Sequence, residues 1–343
     1  MSSQKKYLSQ LWQRGRDFLG VDYPIMAGAM TWISDAQLVA AVSNHGGFGC
    51  LAGGNMPPEL FAAEIEKTRS LTPKPFAVNL ITIAPNYREH LAIAVEKEVP
   101  FIIFAGSFPR GSDITTAQSN GAKVLAFASN ESIARRMINS GVDGLMLEGS
   151  EAGGHIGHVS LTILLQQVLF KFDEIPIFVA GGIGSGQLMA HLLMMGAAGI
   201  QMGTRFVATE EAGVHPDFKA AFIKARSRDA VATPSLGSEL HVVAVRAIRN
   251  KGMADFLELQ FDLIEKRRRG EITQKQAQEA VESFWIGALR RAAKDGDIES
   301  GSLMAGQSVG LVERIQPMKT IFDELIADAE KELVRVHERL GCP

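Results

Sequence analysis

Short apolar, β-prone runs recur along the first two-thirds of the chain with helical segments between them, and this rhythm limits the fold more than any other feature. The runs are Pro24–Met26, Gly47–Ala52, Pro75–Leu80, Pro100–Ala105, Lys123–Ala126, Gly144–Glu148, Pro176–Ala180 and Gly199–Met202. Their starts lie about 20 to 32 residues apart, the length of one strand plus one crossover helix. The segments between them carry helix signals. Ser34 and Asp35 can cap a helix that runs to Asn44 and stops at His45-Gly46-Gly47. Pro57 opens a second, with Glu59, Glu64 and Glu66 on its polar side, and Asn130 caps a third that ends near Ile138, before Gly141. Strands that are nearly continuous in apolar residues and alternate with helices form a parallel sheet covered on both faces. Eight such units predict an α/β fold of the (β/α)8 TIM-barrel type; a doubly wound open sheet is the alternative, because spacing alone does not show closure.

The rhythm stops after Gly199–Met202. From His215 to Glu299 the chain is richer in charge and reads as helix over Met253–Arg269 and Thr273–Asp295. The expected division is a barrel over residues 1–213, a smaller, mainly helical domain over 214–300 lying across the strand C-terminal ends, and a return to the barrel over 301–343. In that return, Gly301 to Leu340 reads as a glycine-rich turn followed by a long amphipathic helix that closes the barrel. Ile175 to Thr204 holds no Asp, Glu, Lys or Arg, but Pro176 and its many glycines split it into strand, turn and helix. It therefore reads as protein interior rather than a membrane span. The N-terminus has no apolar run of signal-peptide length, which points to the cytoplasm. Lys plus Arg number 35 against 38 Asp plus Glu, a net charge of −3 that argues against a nucleic-acid binder. Cys50 and Cys342 lie far apart in no metal-ligand spacing, so neither a disulfide scaffold nor a metal site is expected.

In a barrel of this kind ligands bind at the C-terminal ends of the strands, and phosphates are often held after strands seven and eight. Here strand seven ends in Ala180-Gly181-Gly182-Ile183-Gly184-Ser185-Gly186, and strand eight in Met202-Gly203-Thr204-Arg205-Phe206. Glycines let backbone N–H groups close on an anion, so both turns are candidate phosphate sites, against the plainer reading of tight βα turns. No Walker-type Gly-Lys-Ser/Thr is present, and Gly182–Gly186 lacks the acidic partner of a dinucleotide fingerprint. Strand six ends in Glu148-Gly149-Ser150-Glu151-Ala152-Gly153-Gly154-His155-Ile156-Gly157-His158. A histidine between glycines on a strand-end loop can reach substrate and exchange a proton near neutral pH, which makes His155 the leading candidate and His158 a weaker one. His215 and His241 are weaker still, and His45, His90, His191 and His337 read as packed or solvated. The first strand leads into Met26-Ala27-Gly28-Ala29-Met30-Thr31-Trp32, where small residues admit a flat ring, and Asn79 puts a polar amide on an apolar strand. Lys266-Arg267-Arg268-Arg269 reads as a solvated helix end, with recognition of an anionic cofactor or carrier as the weaker alternative.

The segments YPIMAGAMTW, AAVSNHGGFG, KPFAVNL, EGSEAGGHIG, IPIFVAGGIGSG, QMGTRFVATEE and GSLMAGQSVGL together resemble the FMN-dependent barrel family of the FabK-type enoyl-acyl-carrier-protein reductases and the nitronate monooxygenases (2-nitropropane dioxygenases). The resemblance runs from Tyr23 to the C-terminal helix. It implies FMN at the strand ends, with ring contacts at Ala27, Gly28, Ala29, Met30 and Asn79. Phosphate contacts fall to Gly181, Gly182, Gly203 and Thr204. Lys123, Glu148, Gly154 and Gln201 line the pocket, Gly306 and Gln307 border the flavin, and His155 matches the family's catalytic histidine. The first motif commonly reads Gln-Gly-Gly-Met in this family, and Met26–Met30 lacks that glutamine and second glycine. The Gly-Gly-His-Ile-Gly spelling and GSLMAGQSVGL are more similar to the reductase branch. That branch implies reduction of 2-enoyl thioesters by NADH or NADPH, with an acyl carrier protein as a candidate partner and a homodimer as a candidate assembly. The alternatives are a nitronate monooxygenase using the same FMN with oxygen, a non-redox sugar-phosphate enzyme, and a catalytically silent flavin binder.

Overall fold

Eight parallel strands wind into a barrel, and a second, three-stranded antiparallel sheet stands at its mouth. In the computed structural model the described residues are 6–54, 56–234, 236, 240 and 243–341; His241 and Cys342 lie outside them. The barrel strands are β1 (Ile25–Ala27), β2 (Gly49–Ala52), β3 (Phe76–Ile81), β4 (Phe101–Ala105), β5 (Lys123–Ala128), β6 (Gly144–Glu148), β8 (Ile177–Ala180) and β9 (Gly199–Met202). The short sheet consists of β7 (Gly154–His155), β10 (Ala230–Ala232) and β11 (Val245–Ile248), in the order β10-β11-β7. The barrel order is β1-β9-β8-β6-β5-β4-β3-β2. A parallel bridge between Met26 and Phe48 then joins the first and last strands. Ala27 N donates to Phe48 O at 2.9 Å and Phe48 N to Ile25 O at 2.9 Å across that seam. This closure excludes the doubly wound sheet.

All eight expected runs are barrel strands, and the caps explain the helices between them. Asp35, rather than Ser34, accepts from Leu38 N to start Ala36–Asn44, and Asn130 accepts from Ile133 N to start Glu131–Asn139. Ser34 turns inward instead and braces the loop after β1: its hydroxyl donates to Gly28 O at 2.7 Å and accepts from Met30 N at 3.0 Å.

Side chains alternate strictly across the barrel wall, as the two-residue period of a strand requires. Met26, Phe48, Cys50, Ala77, Phe101, Ile103, Leu125, Met146 and Phe178 fill the interior. Their neighbours Ile25, Ala27, Leu51, Val78, Ile102, Val124, Leu145, Val179 and Ile200 face outward into the layer between strands and helices. The interior is plugged at its N-terminal end by Phe18, Leu19 and Val21 from the segment before β1. Helix Met318–Leu340 completes the helical ring: Phe322 stacks on Phe206 and approaches Tyr23, and His191 Nε2 lies 2.8 Å from Glu332 Oε1. Arg335 first, and His191 with it, hold the Glu332 carboxyl down to about 2.

Over the mouth, helices Lys251–Arg268 and Gln274–Asp295 pack through Phe256, Leu263, Ile264, Ala277, Val281 and Trp285, with Leu240 and Val245 beneath them. Helix Pro216–Lys224 precedes this cap and joins the barrel's outer cluster through Phe218 and Phe222. Among the described residues no helix is long and apolar enough to cross a membrane. Phe178→Ala, which empties a fully buried site inside the barrel, is expected to cost about 3–5 kcal/mol of unfolding free energy. Asp35→Ala, which removes one helix cap, is expected to cost about 1 kcal/mol. Urea unfolding of the two variants measures the difference.

Candidate active site

Alternation along each strand decides which side chains reach the mouth. Asn79 shares the inward face of β3 with Ala77, Glu148 that of β6 with Met146, and Gln201 lies inward between the outward Ile200 and Met202. Glu148 and Gln201 are the last inward residues of their strands and Asn79 is followed on its face only by Ile81, so a polar tier sits on top of an apolar plug. All three line a cavity of about 520 Å³. Asn79 Nδ2 donates to Ile103 O at 3.2 Å, which fixes the amide at the cavity wall. Burial pushes the Glu148 carboxyl up to about 8, because the cavity rather than bulk water is what it meets.

The loops at the strand ends approach one another as bare backbone. Gly28 N donates to Met202 O at 2.9 Å, and Gly149 N donates to Ala180 O at 3.0 Å. Gly181 has φ +95°, and a Cβ there would lie 2.9 Å from Gly149 O. A Cβ on Gly153 would lie 2.5 Å from the carbonyl carbon of Ala305. These positions take glycine because no larger residue leaves the cradle open. The returning segment closes it: Gly306 N donates to the Thr204 hydroxyl at 2.9 Å, leaving that hydroxyl's own proton for a ligand oxygen.

The cavity gathers Gly28, Ala29, Met30, Asn79, Glu148, Gly154, His155, Gly181, Gly182, Gln201, Gly203, Thr204 and Gly306. Three expected contacts fall elsewhere. Ala27 follows the inward Met26, so its side chain faces out into the wall between strands and helices. Lys123 does share the inward face with Leu125 and Phe127, but at the opposite end of β5, about 13 Å below Phe127 at 3.3 Å per residue. Its ammonium donates to Phe18 O at 2.5 Å and lies 4.5 Å from the Phe18 ring centre, so it locks the plug. Gln307 is exposed; its backbone N donates to Glu151 O at 2.9 Å, and Ser308 is the neighbour that reaches the cavity.

The other described histidines lie outside the cavity. His158 is exposed on the loop beyond His155, and His215 caps its own helix by accepting from Asp217 N at 3.2 Å. The basic run ends its helix in ion pairs, Lys266 with Asp262 at 2.7 Å and Arg269 with Glu265 at 3.0 Å.

His155 is held differently from the rest. It pairs with Val245 of β11, Gly154 pairs with Arg246, and Ile156 N donates to Ala244 O at 2.9 Å. Arg246 reaches back to Ser150 O at 3.0 Å and Ala230 O at 2.8 Å. Glu151 anchors the far side of the loop, accepting from Leu161 N at 3.0 Å. The histidine loop is thus an edge strand of the cap's sheet. The cap also supplies cavity residues that the sequence reading did not single out: Glu282, Trp285, Ile286 and Leu289 from helix Gln274–Asp295. Their spacing of three, four and seven residues is a visible helical stripe, yet nothing local says which way it faces. The barrel adds Phe127, Ile81, Ile83 and Phe108, so the outer wall is apolar while the cradle is polar backbone. Among the described residues no cluster of His, Cys, Asp and Glu is placed to hold a metal ion.

Residues 13–90 and 81–328 match the family model described as nitronate monooxygenase. FabK from Thermotoga maritima superposes with a TM-score of 0.85 at 35% identity, over 95% of this chain and 98% of that one. Nitroalkane oxidase from Streptomyces ansochromogenes gives a TM-score of 0.76 at 26% identity, over 92% and 98%. A hydroxy-methyl-oxo-octahydroindene-carboxyl-CoA dehydrogenase from Mycobacterium tuberculosis is 29% identical over 338 residues, 91% of this chain and 94% of that protein. The chain belongs to the nitronate monooxygenase family and is an oxidoreductase.

Proposed function

We propose that this protein is an FMN-dependent oxidoreductase that reduces the double bond of 2-enoyl thioesters with NADH or NADPH. The carrying observation is the shape of one cavity: a side-chain-free polar cradle at the strand ends, facing an apolar wall from the cap. The similarity to FabK over nearly the full length supports the same reading, and the relative named for a CoA thioester supports thioester substrates. The cradle fits FMN. Backbone N–H groups at Gly181, Gly182 and Gly203, with the Thr204 hydroxyl, would hold its phosphate. Gly28 to Met30 would lie along the ring, and Asn79 and Gln201 would offer amides to its polar edge.

When bound, FMN supplies hydride exchange between nicotinamide and substrate. The chain supplies the rest. Ile81, Phe127, Trp285, Ile286 and Leu289 take up the acyl chain and exclude water. His155 orients the thioester carbonyl and delivers a proton to the α-carbon. Glu148, kept neutral near pH 7 by burial, donates a hydrogen bond from its carboxyl at the cavity base. The protein would work in the cytoplasm, on substrates carried by coenzyme A or an acyl carrier protein. The second reading, oxidation of alkyl nitronates with oxygen at the same site, is supported by the family match and the nitroalkane oxidase.

Three outcomes are expected. Mixed without oxygen with NADH or NADPH, the FMN-loaded protein loses its oxidised-flavin absorbance and regains it on addition of an enoyl thioester. No bleaching with either nucleotide, together with oxygen uptake on an alkyl nitronate, would establish the second reading. His155→Ala lowers turnover by about a hundredfold or more with flavin content unchanged; unaltered turnover removes His155 from the reaction. For Glu148, folding favours the neutral form, so the native state loses stability as pH rises from 4.5 through about 8. Glu148→Gln has no such loss, so its Tm advantage over the parent apoprotein widens between about pH 5 and pH 9. A constant difference across that range contradicts the raised carboxyl.

A further inference from the structure

The cavity-facing stripe of helix Gln274–Asp295 is Glu282, Trp285, Ile286 and Leu289, three apolar side chains and one carboxylate. That carboxylate does not point away to solvent. Glu282 Oε1 lies 3.4 Å from His155 Nε2, within ion-pair reach but without the alignment of a hydrogen bond. One turn further along, Ile286 O accepts a hydrogen bond from Trp32 Nε1 at 3.2 Å, which ties the same helix to the loop after β1. Trp32 holds a φ of +66°, a left-handed conformation that a bulky side chain adopts only where its surroundings enforce it. The helix is therefore tied to the loop after β1 one turn from Glu282, which sets that side chain beside the histidine.

We infer that Glu282 is a positioning residue for His155, resting on the histidine role proposed above. The cap fixes the histidine twice: β11 pairs with its backbone, and Glu282 meets its ring. A carboxylate accepts but cannot donate, so once the contact aligns it keeps a proton on Nε2, and Nδ1 carries, in the imidazolium form, the proton passed to the α-carbon. Carboxylate orientation of an imidazole is a general way of selecting one tautomer and one ring angle. It also links the two halves of the site, because the ring is correctly set only when the cap helix is seated.

The test is the tautomer of His155 in FMN-loaded protein labelled with 15N-histidine, its signals assigned by difference from His155→Ala. At about pH 8, where an ordinary imidazole is mostly neutral, ring-nitrogen shifts are expected to show the Nε2–H form in the parent. Glu282→Ala is expected to give a mixture of tautomers, and Glu282→Gln, whose amide oxygen still accepts, to keep the Nε2–H form. Turnover of an enoyl thioester should follow the same order, falling about tenfold to a hundredfold in Glu282→Ala and recovering in Glu282→Gln. An Nδ1–H parent, or a tautomer unchanged in Glu282→Ala, overturns the inference. A parent with the Nε2–H form that reduces no enoyl thioester overturns the proposed function alone, since the tautomer reports on Glu282 without it.

Discussion

The site depends on backbone meeting backbone at the barrel mouth. Loops after β1, β6, β8 and β9 converge with the returning segment around Gly306, and they do so at distances that exclude side chains. Gly181 sits against Gly149, and Gly153 against Ala305. What results is a surface of N–H and C=O groups fixed by their own hydrogen bonds, including Gly28 to Met202 and Gly306 to Thr204. Such a surface suits an anionic, planar ligand, because fixed dipoles bind without reorganising. The barrel below provides the rigidity: its interior is packed with Phe48, Phe101 and Phe178 and locked at the floor by Lys123 over Phe18.

The histidine proposed to react is held by both the barrel and the helices and sheet over its mouth. His155 leaves the barrel on the loop after β6 and immediately becomes an edge strand of the cap's sheet. Its loop is braced by Arg246 from the cap and by Glu151 from the barrel side, so histidine and cradle are set by separate supports that must agree. Across the cavity, the apolar stripe of helix Gln274–Asp295 faces the polar tier of Asn79, Glu148 and Gln201. Burial at the base of this cavity is what raises the Glu148 carboxyl.

The fold was legible because buried parallel strands read as apolar runs. Ile177–Ala180 and Gly144–Leu147 are apolar on both faces, since the interior and the helical layer are both dry. The same property hides orientation. Ala27 and Lys123 sit in motifs near the site, yet the pattern does not say that one faces outward and the other lies at the wrong end of its strand. The position of the glycines and His155 at the mouth was legible because they follow strand ends, and they line the cavity there. The cap's contribution was not. A two-residue strand such as β7 leaves no pattern, and the stripe of Glu282, Trp285 and Ile286 is an ordinary helix face until its partner surface is known.

The glycine cradle is the proposed FMN site, and the decisive measurement is a titration of apoprotein with FMN followed by flavin fluorescence. The parent is expected to bind one FMN per chain. Gly181→Ala, which puts a Cβ against Gly149 O, is expected to bind it at least about tenfold more weakly, or about 1.4 kcal/mol, while its circular dichroism stays native. Equal affinity in the variant, or a folded parent that binds no FMN, would contradict it.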